Sequence, residues 1–141
     1  MFINMTVFVS FDFEHDRNYK YLLEAWNKSS SIDFTFENNS SREINTYNIA
    51  RVKAALTTKI RQSDCIVVII GAHSDDLHNN SDLIGYRNWQ YFEIAKAKEA
   101  GLKIVAIKLR AIYRTPSVLY NCGTSWAYSF SLDSITQALN R

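Results

Sequence analysis

The chain has 141 residues, 47% hydrophobic and 21% charged, with four glycines and one proline, a make-up that predicts one ordered domain over 1–141 and excludes a linker or disordered segment. A net charge of +2, with acids and bases interspersed and no basic run, argues against nucleic acid as a partner. Two distant cysteines, no leader-like start and no apolar stretch of membrane-spanning length predict a reduced, cytoplasmic protein with no zinc site and no membrane span.

Residues 6–11 are β-branched and aromatic and predict a first strand. Asp16 is a candidate N-cap for a helix in which Tyr19, Leu22, Leu23 and Trp26 recur at three and four and predict a core face. Three serines at 29–31 end that helix, and 32–36 alternates as a short second strand. Polar residues dominate 37–45 before Ile49, Val52, Leu56 and Ile60 mark the next helix. Residues 65–70 are apolar throughout and read as a buried third strand, with Cys65 a small core residue. A long polar loop, 72–87, holds His73, Asp75, Asp76, His78 and Asp82. With no helical i, i+4 pairing and no cysteine partner, it reads as a solvated connection, and no metal site is expected.

A helix from Trp89 to about Ala100 follows, with Gly101 as its stop, and 103–109 reads as a fourth strand. The tail is irregular through Pro116 and Gly123, passes a short apolar piece at 128–130, and ends in a helix over 132–140 capped by Ser131. Strands alternating with helices, with central strands apolar on both faces, predict an α/β fold. Its core is a parallel sheet of about five strands, helices on both faces, in a flavodoxin-like order.

Trp89 and Glu93 are four residues apart, so they share one face of the helix that follows the third strand. In such sheets ligands bind at the loops after the strands. An indole there can stack on a ring or simply cover the sheet, and the acid can act on ligand or merely favour a helix start. Asp12, at the end of the first strand, can touch ligand or cap the following turn. Other owners of the fold are harder to fit. A phosphorelay receiver needs an aspartate where Ile70-Gly71 stands. A flavodoxin needs a hydroxyl- and glycine-rich loop where Phe11-Asp12-Phe13-Glu14 stands. Glycine-rich phosphate fingerprints are absent. Nothing local supports Cys122 with His15 or His73 as a thiol protease pair.

The ordered segments resemble a TIR domain, specifically the bacterial TIR-like group that includes the Thoeris antiphage sensors. Residues 7–12 resemble its opening strand, 60–71 its helix-to-third-strand segment, Trp89-Gln90-Tyr91-Phe92-Glu93-Ile94 its Trp-x-x-aromatic-Glu helix start, and 101–107 the strand that follows. The resemblance covers about 6–110. It implies a flavodoxin-like TIR fold and an enzyme that cleaves the nicotinamide–ribose bond of NAD+, with NAD+ as substrate and no cofactor. Glu93 is then the catalytic acid, Trp89 stacks on a ligand ring, Phe92 walls the pocket, and Phe11 and Asp12 face the same crevice. It also implies a nucleotide signal in antiphage defence, a separate effector protein that responds to it, a phage-derived trigger and self-association through TIR contacts, to which the polar segment 37–47 belongs. The alternative expectation is a non-catalytic TIR interaction module. A nucleotide sensor that binds without turnover is a third.

Overall fold

Among the residues that the computed structural model describes, 5–29, 34–37 and 48–141, five strands form one parallel sheet. They are β1 (Met5–Ser10), β2 (Phe34–Glu37), β3 (Cys65–Ile70), β4 (Lys103–Lys108) and β5 (Ser125–Ala127), in the order β2-β1-β3-β4-β5. The predicted doubly covered flavodoxin-like sheet is therefore present. Helices α1 (Phe13–Ser29) and α5 (Leu132–Asn140) cover one face; α2 (Ile49–Arg61), the single turn α3 (Ser81–Ile84) and α4 (Trp89–Glu99) cover the other.

The period-2 geometry of strands divides the core between the two faces. Val7, Val9, Cys65, Val67, Ile69, Val105 and Ile107 pack with Leu23, Ile135, Ala138 and Leu139 on the α1/α5 face. Phe8, Ile66, Val68, Ile70, Ile104 and Ala106 pack with Val52, Leu56, Ile60, Phe92 and Ile94 on the other. Every residue of β3 is fully buried, and each such side chain contributes roughly 1.5–3 kcal/mol. Cys65 sits in this core, where burial pushes its thiol up to about 12, so it behaves as a small apolar residue.

Three sequence expectations shift, and the fifth strand gains a position. The first helix begins at Phe13 rather than after Asp16, because Asp12 supplies the cap: its Oδ1 accepts the Glu14 N–H at 3.2 Å and its carbonyl accepts that of Asp16 at 2.8 Å. Leu22, expected in the core, is exposed, whereas Leu23 is buried and Tyr19 and Trp26 pack on Phe130. β5 occupies 125–127, just before the apolar piece at 128–130. The 72–87 loop is not a plain solvated connection, since α3 buries Ile84 and ends on Gly85 at φ +83°. Ser131 caps α5 as expected, accepting the Ser134 N–H at 3.2 Å. The polar segment, 38–47, lies outside the described residues.

Candidate active site

From β1 the chain runs outward to β2, then returns across β1 to β3, so the switch in strand order falls between β1 and β3. Beyond the carboxyl ends of two such strands the connections diverge and leave a crevice. A cavity of about 560 Å³ lies there, within the range of small-molecule sites. The turn after β1 lines it with Phe11, Asp12, Phe13, Glu14 and His15, and the loop after β3 adds His73 and residues 76–80. Ile49 and Val52 of α2, with Asn88, Trp89 and Gln90 at the start of α4, complete it. The lining joins aromatic rings, side-chain amides, imidazoles and carboxylates; among the described residues it includes no lysine or arginine.

Asn88 fixes the entry of α4. Its side-chain oxygen caps the helix by accepting the Tyr91 N–H at 3.0 Å. Its amide nitrogen donates to the carbonyls of Ser74 at 2.9 Å and Asp76 at 2.8 Å, tying the 72–87 loop to the helix. Gln90 follows, 4% exposed, and its amide donates to the carbonyl of Ile69 at 3.0 Å and of Ser10 at 3.3 Å. The first turn of α4 is thus bonded to the ends of both strands that define the switch point.

Trp89, at the start of α4, and Phe11 and Asp12, just after β1, all line the cavity. Trp89 is half-buried and held by near-perpendicular rings, Phe92 at 5.7 Å and His78 at 6.4 Å. Phe92 does not wall the pocket. It is 1% exposed, packs behind Trp89 and Tyr86, and has the ammonium groups of Lys53 and Lys96 over its ring. Glu93 does not line the cavity either. One turn beyond Trp89, it is 3% exposed and accepts the Ser10 hydroxyl at 2.7 Å. Burial pushes its carboxyl up to about 8, against the opposing pull of the Ser10 hydrogen bond.

Within the lining, two imidazoles join the two loops. Asp12 Oδ2 lies 2.6 Å from His15 Nδ1, and that bond raises His15 above its ordinary value. The His15 ring stacks on His73 at 3.8 Å, and His73 Nδ1 lies 2.8 Å from Asp76. Asp12 therefore caps a helix and holds a histidine while facing the crevice. Asp16, one turn along from Asp12, is buried and raised to about 6 by that burial, with Oδ2 unbonded and close to Gly71. A Cβ at Gly71 would stand 2.1 Å from that oxygen, so only glycine fits. Among the described residues no group of three or more acids, histidines and cysteines could hold a metal ion.

Sequence reasoning missed Ser10, Gln90 and Asn88 as site residues. The Asn before an apolar helix start was a usable signal. The partnership of Ser10 with Glu93, 83 residues apart, leaves no local mark.

The profile of the family described as "Thoeris protein ThsB, TIR-like domain" matches residues 8–112. Among curated proteins, none matches. Solved structures share the fold at low identity. A Clostridium botulinum CMP N-glycosidase aligns at TM-score 0.60 and 12% identity, over 96% of this chain and 97% of that one. A 2-deoxyribosyltransferase of Bacillus psychrosaccharolyticus aligns at 0.59 and 11%, over 89% and 87%. The 2-desoxiribosyltransferase from Leishmania mexicana aligns at 0.55 and 9%, over 94% and 95%.

Proposed function

The chain belongs to the family of Thoeris ThsB TIR-like domains, and on that premise we propose that it cleaves the nicotinamide–ribose bond of NAD+. The family assigns it a TIR signalling role in antiphage defence; the bond cleavage is our reading of the site. The observation that carries it is a carboxyl buried at the switch point, Glu93 on Ser10, beside a ring-lined cavity of about 560 Å³. Two of the solved neighbours are named for deoxyribosyl transfer and one for N-glycosidase action, so this sheet supports chemistry at a sugar–base bond elsewhere.

In the reaction the C–N bond breaks and its electron pair leaves with nicotinamide, which departs neutral. The ribosyl oxocarbenium ion is then captured by water, which loses a proton, or by the adenine of the same molecule, giving a cyclic product. Ionised Glu93 stabilises that cation or the ribose hydroxyls, as carboxylates do in glycoside hydrolysis. Ser10 holds one carboxylate oxygen, Trp89 supplies a stacking face, and Phe11 and Asp12 border the sugar side. Phe92 acts from behind by fixing Trp89. Gln90 lines the cavity and bonds the carbonyl of Ser10, whose hydroxyl holds Glu93, and we infer that access to Glu93 runs past it. The cationic nicotinamide ring arriving beside Glu93 favours the ionised acid. The released nucleotide then acts on a separate effector protein, and a phage-derived trigger and self-association govern the switch.

The test is incubation of the protein with NAD+, alone and with phage-infected lysate, reading nicotinamide release beside the Glu93→Gln variant. Loss of at least about 100-fold in turnover is expected, in line with removal of a transition-state charge partner. Release unchanged by the substitution overturns the assignment. The burial of Glu93 outside the cavity favours a second reading, a TIR interaction module that signals without catalysis. Release absent under every condition, with Glu93→Gln still competent in phage defence, identifies that case.

A further inference from the structure

Three histidines line the cavity, and their ring nitrogens are committed differently. His15 and His73 each spend Nδ1 on an aspartate, Asp12 and Asp76, and stack on one another. His78 has no carboxylate. Its Nδ1 accepts the backbone N–H of Asn80 at 2.9 Å, and the His78 backbone N–H, not the ring, donates to the Arg87 carbonyl at 2.9 Å. A nitrogen that accepts carries no proton, so the neutral His78 ring is the Nε2–H tautomer. That Nε2–H makes no hydrogen bond to any described residue. The ring is half-buried, lines the cavity, and stands at 76° to Trp89 with centroids 6.4 Å apart.

We propose that His78 is a specificity-determining residue, whose Nε2–H donates to an acceptor on the edge of the planar heteroaromatic ring that Trp89 holds. This rests on the reading of the cavity as the NAD+ site and adds to it a named contact. Two rings of the substrate offer that chemistry: adenine through its ring nitrogens, nicotinamide through its carboxamide oxygen. A near-perpendicular imidazole beside an indole gives one a stacking surface and the other an edge contact, so ring identity is read by a hydrogen bond rather than by shape alone. A ring without an acceptor leaves the Nε2–H buried against it and unpaired, which disfavours the wrong ligand more strongly than the bond favours the right one.

Two substitutions separate the donor from the fold of the loop. Asparagine places its oxygen near Nδ1 and keeps the Asn80 bond while deleting the donor; glutamine places its amide nitrogen near Nε2 and keeps the donor. The full chain is titrated separately with ADP-ribose and with nicotinamide, following Trp fluorescence, and NAD+ turnover is measured in parallel. His78→Asn is expected to weaken one of the two half-ligands about three- to tenfold and leave the other unchanged. The half that weakens names the ring. His78→Gln is expected to retain that affinity, and KM for NAD+ is expected to follow the same pattern with kcat nearly constant. Imidazole ¹⁵N shifts of the free protein are expected to report Nε2–H. Equal affinities in all three proteins, an Nδ1–H tautomer, or no binding of either half overturn the proposal. NAD+ turnover indifferent to both substitutions overturns it while the bond cleavage stands. Half-ligand affinities that follow the donor with no nicotinamide release overturn the cleavage and leave His78 in its role.

Discussion

Glu93 accepts the Ser10 hydroxyl at 2.7 Å and is otherwise shut from water, and that burial pushes its carboxyl from 4.5 up to about 8. Two pH dependences of opposite sign follow. Below 4.5 the acid is protonated whether the chain is folded or not, so its contribution to stability is intact. Between 4.5 and about 8 the unfolded chain releases the proton while the folded one keeps it, so stability falls as pH rises and then levels. Denaturant melts of Glu93→Gln, which cannot ionise, are expected to lose much of that slope and to show a variant more stable than wild type at pH 8. The proposed bond cleavage is expected to run the other way. Where the ionised acid does the work, kcat/KM for NAD+ climbs about tenfold per pH unit and flattens near pH 8. A flat profile from pH 6 to 8 contradicts that role. The raised acid was not legible in the chain, where Glu93 reads equally well as a solvated residue of a first helical turn.

At the scale of elements, α4 explains both what the sequence revealed and what it hid. Its start was readable from Asn88 and the apolar run, and its end from Gly101, which takes φ +74°. Its orientation was not, because Gln90, Tyr91, Phe92, Glu93 and Ile94 are all buried, which leaves no polar stripe to say which side meets the cavity. Phe11 and Asp12 follow β1 and Trp89 opens α4, so chain order alone brings them to the cavity rim, whereas the positions of Phe92 and Glu93 depend on the helix's rotation about its axis. The fifth strand had no assigned position in the sequence for a similar reason. Ser125-Trp126-Ala127 is a three-residue edge strand of mixed polarity, while the more apolar 128–130 exposes Tyr128 and turns Phe130 onto Tyr19 and Trp26. Asn88 is the hinge pin of this part of the fold. Replacing it with alanine removes a cap and two donors, and is expected to cost on the order of 2–3 kcal/mol in denaturant melts. Asn88→Asp keeps the cap but loses the donors, and should fall between the two while speeding hydrogen exchange in the 72–87 loop.

Across the whole molecule, stability is graded from the centre of the sheet outward. β3 pairs with β4 through six residues and with β1 through four, and none of its side chains meets water. β5 pairs through three residues at an edge. Native-state hydrogen exchange is therefore expected to be slowest in β3 and its partner β4, and measurably faster in β5; the reverse order would contradict this packing. The doubly apolar centre is also why the fold class was readable from sequence, whereas the cavity joins residues from 11 to 90 in the chain and had no local signature. That span has a consequence for biosynthesis. A chain leaving the ribosome at about 5–20 residues per second holds Ser10, Phe11 and Asp12 for many seconds before Trp89, Gln90 and Glu93 exist to meet them. Until α4 docks, the cavity lacks a wall and Glu93 lacks the Ser10 hydroxyl, so the pocket is completed only after residues 88–93 have joined the sheet. The two halves of the site therefore meet only late in synthesis.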